Sequence, residues 1–450
     1  MDHNALTRRQ LIKGGLGASA LAGLAPLVAA CGSSGTTSST ATVASDSGGS
    51  AGTSAVVSQL RSLLDIPTGK AAGQGLTLNL GASMDFSGEG AIYGTYDYNG
   101  LKLAVQHIEA LGPKVNLTAL DSGFVDAAKG VSLIRQFGGS GIPVVFTSLG
   151  ADGGAELPYF KEYKMLGLEA GGAAAVFESI PFYYQTRALY PQGVLPPLVK
   201  YMQLKYPSLK RWAVVCNESV PALVNQELAY VQKTISGAGF QDVGSSLPAV
   251  TAADFSTNIA QLQTFKPDVV LSLLGGAQVG EFLKQYRIGG GQARVVGIEY
   301  LPLVQQIAGE ATKGYIFGFD YFDPQNPPDN QWARLFLSEY RRVFNSDPTY
   351  YSANYYETAF LAYDLIRRII ASGGDPTKPG DPYVSAFEQN PTFPSVYGGN
   401  GGATGQFVFD TTTHILVKRA VAVAEATGAS GSPTLLATGD ISDPTALKLV

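Results

Sequence analysis

Residues Leu76 to Leu111 read LTLNLGASMDFSGEGAIYGTYDYNGLKLAVQHIEAL. Leu76-Thr77-Leu78-Asn79-Leu80 alternates apolar and polar side chains, the pattern of a half-buried strand. A Gly/Ser-rich loop follows from Gly81 to Gly90. Leu101, Leu103, Ala104, Val105, Ile108 and Leu111 then form the apolar face of a helix that Gly112-Pro113 ends. Strand, loop and helix make the opening half of a βαβ unit, and sheets built from such units collect ligands at the ends of their strands.

The unit recurs downstream. Strands are predicted over Val115–Asp121, Ile142–Thr147, Trp212–Cys216, Asp268–Leu274 and Arg294–Ile298. Helices are predicted over Val125–Phe137, near Ala155–Tyr163, and over Leu195–Lys205, Ala222–Ala238, Phe255–Thr264 and Val279–Tyr286. This alternation predicts an α/β chain with parallel central sheets covered on both faces, in two Rossmann-like lobes. Ligand-facing loops are then Ser83–Tyr93, Ser148–Gly154, Asn217–Pro221 and Gly275–Gln278. The Gly/Ser/Pro-rich stretch after Thr427 reads as a loose end.

Bulk properties agree. At 450 residues the chain exceeds one ordinary core, so two domains are expected. A net charge of −5 gives no electrostatic reason for nucleic-acid binding or for an anionic membrane surface. The three histidines, His3, His107 and His414, are too scattered to suggest a zinc ligand set or a Ser/His/Asp grouping.

The first 30 residues read as an address. Arg8 and Arg9, within Thr7-Arg8-Arg9-Gln10-Leu11-Ile12-Lys13, precede a mild apolar run from Gly14 to Ala30, the order of a twin-arginine signal. The run ends in Leu27-Val28-Ala29-Ala30-Cys31, which resembles a lipobox; in such signals the cysteine is diacylated and becomes the first residue. A chance cysteine behind an alanine run, or an uncleaved anchor helix, is the alternative. Residues 31–75 are expected to be a lipid-anchored tether, because Gly32 to Ala55 is nearly all Gly, Ser, Thr and Ala, although Val56–Leu64 has the pattern of a short helix. Cys31 thus has its own use, and Cys216 is left without a disulfide partner.

Several marks in a fixed order carry a resemblance. They are Phe86-Ser87-Gly88 to Tyr93-Gly94, the helix start Asn99-Gly100, and Asp254-Phe255-Ser256 before a helix. Lys266-Pro267-Asp268-Val269-Val270 entering a strand and Tyr355-Tyr356-Glu357-Thr358-Ala359 on a late helix complete the set. From Leu76 to about Asp410 the chain resembles the branched-chain amino-acid-binding proteins of ABC importers, of the type I periplasmic binding fold. The resemblance implies two lobes hinged by three crossovers, here near Leu189, Tyr321 and Ser395. Lobe 1 is then residues 76–190 plus 322–395, and lobe 2 residues 191–321 plus 396–450. It further implies a solute held between the lobes and a closed form that docks on a membrane permease.

Carried over by ungapped matching, the family's aromatic wall falls on Tyr93, the acid that holds a ligand ammonium on Glu299, and the late-helix tyrosine on Tyr356. The serine and threonine that grip the ligand carboxylate fall on Gly150 and Ala173, and two tyrosines of the second lobe on Pro221 and Ala277. A one-residue slip brings Ser148 or Ser219 into reach. The implied ligand-binding set is therefore Tyr93, Ser148, Gly150, Gly171, Ala173, Ser219, Ala277, Glu299 and Tyr356. Small residues where hydroxyls should stand imply a wider, less polar pocket, suited to a ligand bulkier than leucine or to one that is not an α-amino acid.

The resemblance implies a solute receptor that is exported, anchored by lipid at the outer face of the cytoplasmic membrane, and feeds an ABC permease. A sensor subunit acting with a separate signalling partner is the alternative. No enzyme, cofactor or metal is implied: a dehydrogenase would need a glycine fingerprint after the first strand, and Leu80-Gly81-Ala82-Ser83-Met84-Asp85 lacks it.

Overall fold

The computed structural model describes residues 41–42, 50–124, 126–148, 154–217 and 221–450. Strand β1 (Ala41–Thr42) and helix α1 (Ser50–Leu63) lead into the stretch that organises the first lobe. There β2 (Thr77–Met84), α2 (Ala91–Leu111), β3 (Lys114–Asp121), α3 (Ala127–Gly139), β4 (Val144–Thr147), α4 (Leu157–Tyr163), β5 (Leu166–Glu169) and β6 (Tyr183–Gln185) alternate. The sheet order among the described residues is β1-β3-β2-β4-β5-β6, with β1 antiparallel on the edge and the others parallel. Because β2 lies between β3 and β4, the strand order reverses at β2, and the loops after β2 and β4 splay apart to leave a crevice.

The second lobe repeats this plan. It contains α5 (Leu195–Lys205), β7 (Arg211–Cys216), α6 (Pro221–Gly237), β8 (Gln241–Ser246), α7 (Ser256–Thr264), β9 (Val269–Leu273), α8 (Gly276–Ile288), β10 (Arg294–Gly297), α9 (Pro302–Ala308) and β11 (Ile316–Asp320). Its strands run β8-β7-β9-β10-β11 in parallel, so the reversal falls at β7. The chain then returns to the first lobe as α10 (Gln331–Phe344), α11 (Tyr350–Ala371), α12 (Asp381–Gln389) and a small antiparallel sheet. That sheet comprises β12 (Thr392–Ser395), β13 (Gly405–Phe409) and β14 (Leu416–Lys418). Finally β15 (Ala420–Glu425), β16 (Thr434–Asp440) and β17 (Asp443–Leu449) extend the second sheet antiparallel from β11.

Three expectations change. The third crossing lies at Arg419 rather than near Ser395, because residues 396–418 stay with the first lobe. Phe409 meets Tyr184 and Phe387, and His414 stacks on Tyr184 at 4.3 Å between centroids. Residues after Thr427 are not a loose end: the Gly/Ser/Pro segment is a turn, and Leu435 to Ala437 carry β16 onto β15. The tether also stops early. Helix α1 packs against α2 and α10, with Leu60 fully buried and Leu64, Ile66 and Ala72 continuing the apolar contact.

Two glycines bring α2 close enough to build the site. A Cβ on Gly94 would sit 2.1 Å from the Asp85 carbonyl oxygen, and one on Gly100 would sit 2.0 Å from that of Ser352 in α11. Any side chain at either position would push α2 away from the β2 loop or from α11. The three crossings meet in a buried ion network. Arg187 Nε lies 2.7 Å from Asp320, Arg419 Nε 3.3 Å from Asp320, and Arg419 Nη1 2.7 Å from Glu357. Each crossing contributes one member, and α11 supplies the fourth. Among the described residues no helix is long and apolar enough to cross a membrane.

Candidate functional site

Residues just beyond the C-terminal ends of the parallel strands surround one cavity of about 180 Å³. Asp85 follows β2, Ser148 follows β4, Gly171 and Gly172 follow β5, and Arg187 follows β6. From the second sheet, Asn217 follows β7, Gly275 follows β9 and Glu299 follows β10. Tyr93 and Tyr351, from the first turns of α2 and α11, and Glu227 from α6 complete the polar wall; Ala173, Ala174, Phe124, Phe177, Tyr190, Val250 and Leu273 also line it.

Glu299 is held by aromatic hydroxyls. Its Oε1 accepts the Tyr93 hydroxyl at 3.0 Å and lies 3.5 Å from the Gly276 amide, while Oε2 accepts the hydroxyls of Tyr350 and Tyr351 at 3.1 Å each. The four acceptor directions of the carboxylate are thereby filled from within the protein. Burial pushes its pKa up, against the charge of Arg187 and the three phenol hydrogen bonds, which favour the ionised form. Since Tyr93 belongs to the first lobe and Glu299 to the second, their bond spans the cleft.

The first-lobe wall is acidic. Asp85 accepts hydrogen bonds from Ser122 Oγ, from the Phe124 amide at 3.1 Å and from Ser148 Oγ at 3.3 Å. Its carboxyl is nevertheless pushed up to about 7, chiefly by burial, with the charge of Glu169 adding to the effect. Glu169 takes the amides of Gly171 and Gly172 on Oε1 at 2.6 Å each, and Thr147 Oγ1 on Oε2 at 2.8 Å. One turn beyond Tyr93, Asp97 is fully buried, and the Ser148 hydroxyl is the side-chain donor that favours its ionised form. Burial, and then the charges of Asp85 and Glu169, hold Asp97 far above the ordinary carboxylate range. Across the cleft, burial pushes Glu227 up to about 7, and the Cys216 thiol lies 3.7 Å from its Oε2.

Arg187 is the one cationic side chain among the described residues lining the cavity. Its Nε donates to Asp320 at 2.7 Å and its Nη1 to the Gly171 carbonyl, and the guanidinium faces Tyr351 at 4.7 Å and Tyr350 at 5.3 Å. Burial opposes its charge, but Tyr351, Asp320, Tyr350 and Glu299 outweigh that and keep it protonated. No group of His, Cys, Asp and Glu is placed to hold a metal ion among the described residues.

Of the residues read from the sequence, Tyr93, Ser148, Gly171, Ala173 and Glu299 line this cavity. Ala277 stands in the first turn of α8, two residues past the lining Gly275. Tyr356 faces away. Its hydroxyl meets His107 Nδ1 at 2.9 Å, and its ring packs on Phe336 at 4.5 Å and Trp332 at 5.9 Å. Five residues along a helix rotate a side chain by about 140° net, so Tyr351 at the cleft leaves Tyr356 in the interior. Gly150, Ser219, Cys31, Arg8 and Arg9 lie outside the described residues.

Asp85, Arg187, Tyr190, Asn217, Glu227 and Tyr351 escaped the sequence reading. Asp85 and Asn217 sit within loops expected to face a ligand, so position after a strand was the available signal. Tyr190, Tyr351, Phe177 and Arg187, supplied by other elements, line the cavity together with Gly171 and Ala173, and Asp85 and Glu227 add acidic groups.

The sequence profile described as periplasmic binding protein matches residues 77–431. An amino acid ABC transporter substrate-binding protein from Pseudomonas fluorescens superposes with a TM-score of 0.68 at 18% identity, over 81% of this chain and 96% of its own. A leucine-binding protein from Thermotoga maritima gives 0.67 at 18% identity, over 80% and 98%. A solute-binding protein of an ABC transporter from Rhodopseudomonas palustris, solved in complex with 3,4-dihydroxybenzoic acid, gives 0.66 at 17% identity, over 81% and 98%. At such identities the likeness is one of fold. No curated protein matches the sequence.

Proposed function

The chain belongs to the periplasmic binding protein family, the extracytoplasmic, non-enzymatic substrate-binding proteins of ABC transporters, and from that premise we propose that it captures an amino acid or related small organic molecule between its lobes and delivers it to a membrane permease. One observation carries the proposal. The residues that follow the reversal strands β2 and β7, together with those after β4 and β9, all border one cavity, which is where open α/β sheets hold ligands. The hydrogen bond from Tyr93 to Glu299 joins the two walls, so closure and occupancy are coupled through the same side chains. Export through Arg8 and Arg9 and acylation of Cys31 complete the proposal, and the short stretch between Cys31 and α1 keeps the receptor near its permease.

A thermal-shift screen tests the capture. A solute at a hundredfold its Kd stabilises the folded protein by about 2.7 kcal/mol, a rise of several degrees in Tm. A responding solute whose effect is lost in Tyr351→Ala supports the cleft as the site; an equal response in that variant places the solute elsewhere. Anchoring is tested by fractionation: Cys31→Ser moves the protein from the membrane to the soluble fraction, and retention on the membrane refutes acylation there.

A further inference from the structure

On the reading that the cleft is the solute site, its hydrogen-bonding inventory narrows the solute further. A carboxylate needs donors, and three on the first-lobe wall are already engaged by the protein's own acids. The amides of Gly171 and Gly172 both donate to Glu169, and the Ser148 hydroxyl donates to Asp85. Arg187 commits two of its five N–H groups, Nε to Asp320 and Nη1 to the Gly171 carbonyl, and pairs with Asp320 inside the hinge network. Glu299 is saturated by three tyrosines.

What the cavity offers instead is acceptors. Asp85 on one wall and Glu227 on the other both line it, and neither has a cationic partner among the described residues. Behind Asp85 stands Asp97, fully buried, its pKa pushed far up by burial and then by the charges of Asp85 and Glu169. We propose that the cleft selects a small organic cation lacking a carboxylate, an ammonium or amidinium, whose N–H groups are received by Asp85 of the first lobe and Glu227 of the second. Such a ligand bridges the two walls by charge-assisted hydrogen bonds, so that lobe closure itself completes its coordination.

Both acids are raised to about 7, so they ionise as the cation enters. Glu169 and Asp97 face Asp85, Cys216 and Tyr190 face Glu227, and Glu299 and Arg187 complete the titratable rim. Amine affinity therefore rises as the pH is taken from about 6 to about 8, with protons released on binding.

Matched probes test the assignment on the full chain by titration calorimetry: leucine, isopentylamine (leucine without its carboxylate) and isocaproate (leucine without its amine). Phenethylamine and putrescine extend the cationic arm. The expected result is binding of one or more amines, silence of the matched acid, and at least about tenfold weakening in both Asp85→Asn and Glu227→Gln. Binding of isocaproate, or of leucine in preference to every amine, overturns the cation assignment while leaving the cleft receptor standing. Amine binding that neither variant weakens refutes the cleft as the site. Silence of all the amines at millimolar concentration also overturns the assignment.

Discussion

Replacing Asp85 by asparagine removes a charge that the folded protein holds at a cost. Its carboxyl rises from 3.8 to about 7 on folding, driven by burial and by Glu169. Between these values the folded state keeps a proton that the unfolded chain has lost. Stability from this group is therefore greatest below pH 3.8 and falls as the pH rises to about 7. At ~1.4 kcal/mol per pH unit, a rise of this size amounts to about 4 kcal/mol. Asparagine is nearly isosteric: its oxygen can still accept from Ser122 and from the Phe124 amide, and its amino group can donate to the Ser148 oxygen. Urea unfolding of the ligand-free protein at several pH values provides the assay. Asp85→Asn should match the parent near pH 4 and exceed it by a few kcal/mol, about 4 at most, near pH 8. Equal stability of the two proteins near pH 8, or a variant that is less stable there, refutes the idea that an unneutralised carboxylate is stored in the cleft.

Other perturbations test the frame. Gly100→Ala drives a Cβ into the Ser352 carbonyl, and by urea unfolding it should cost about 3 kcal/mol despite alanine's helix propensity. Arg419→Met leaves Glu357 buried and unpaired and should cost on the order of 3–5 kcal/mol, read as a lowered denaturation midpoint. Leu60→Ala should lose about 3 kcal/mol, because α1 belongs to the first lobe; an unchanged midpoint would return that segment to the tether.

Much of this architecture is legible in the residues themselves. The alternation of Leu76 to Leu80 and the apolar face from Leu101 to Leu111 mark β2 and α2, and Glu299 lies just past the end of β10, behind Val296-Gly297-Ile298. What escaped has physical reasons. Strands β5 and β6 are four and three residues long and buried throughout, too short to show a period. Without them Arg187 has no strand end to follow. Tyr350, Tyr351, Tyr355 and Tyr356 are all buried, so the first turns of α11 have no exposed face from which to tell the cleft side from the core side. Residues 396–418 belong to the first lobe through contacts of Phe409 and His414 with Tyr184, pairings distant in sequence. The saturation of Glu299 and the capture of the Gly171 and Gly172 amides by Glu169 depend on side-chain placement, which composition does not encode.

The most direct test of the solute-receptor account is a crystal structure of the protein with a solute that raises its Tm. The account predicts electron density for that solute between Asp85, Arg187, Glu227 and Tyr351, with both lobes in contact with it. A solute bound away from this cavity, beside an empty cleft, would contradict it.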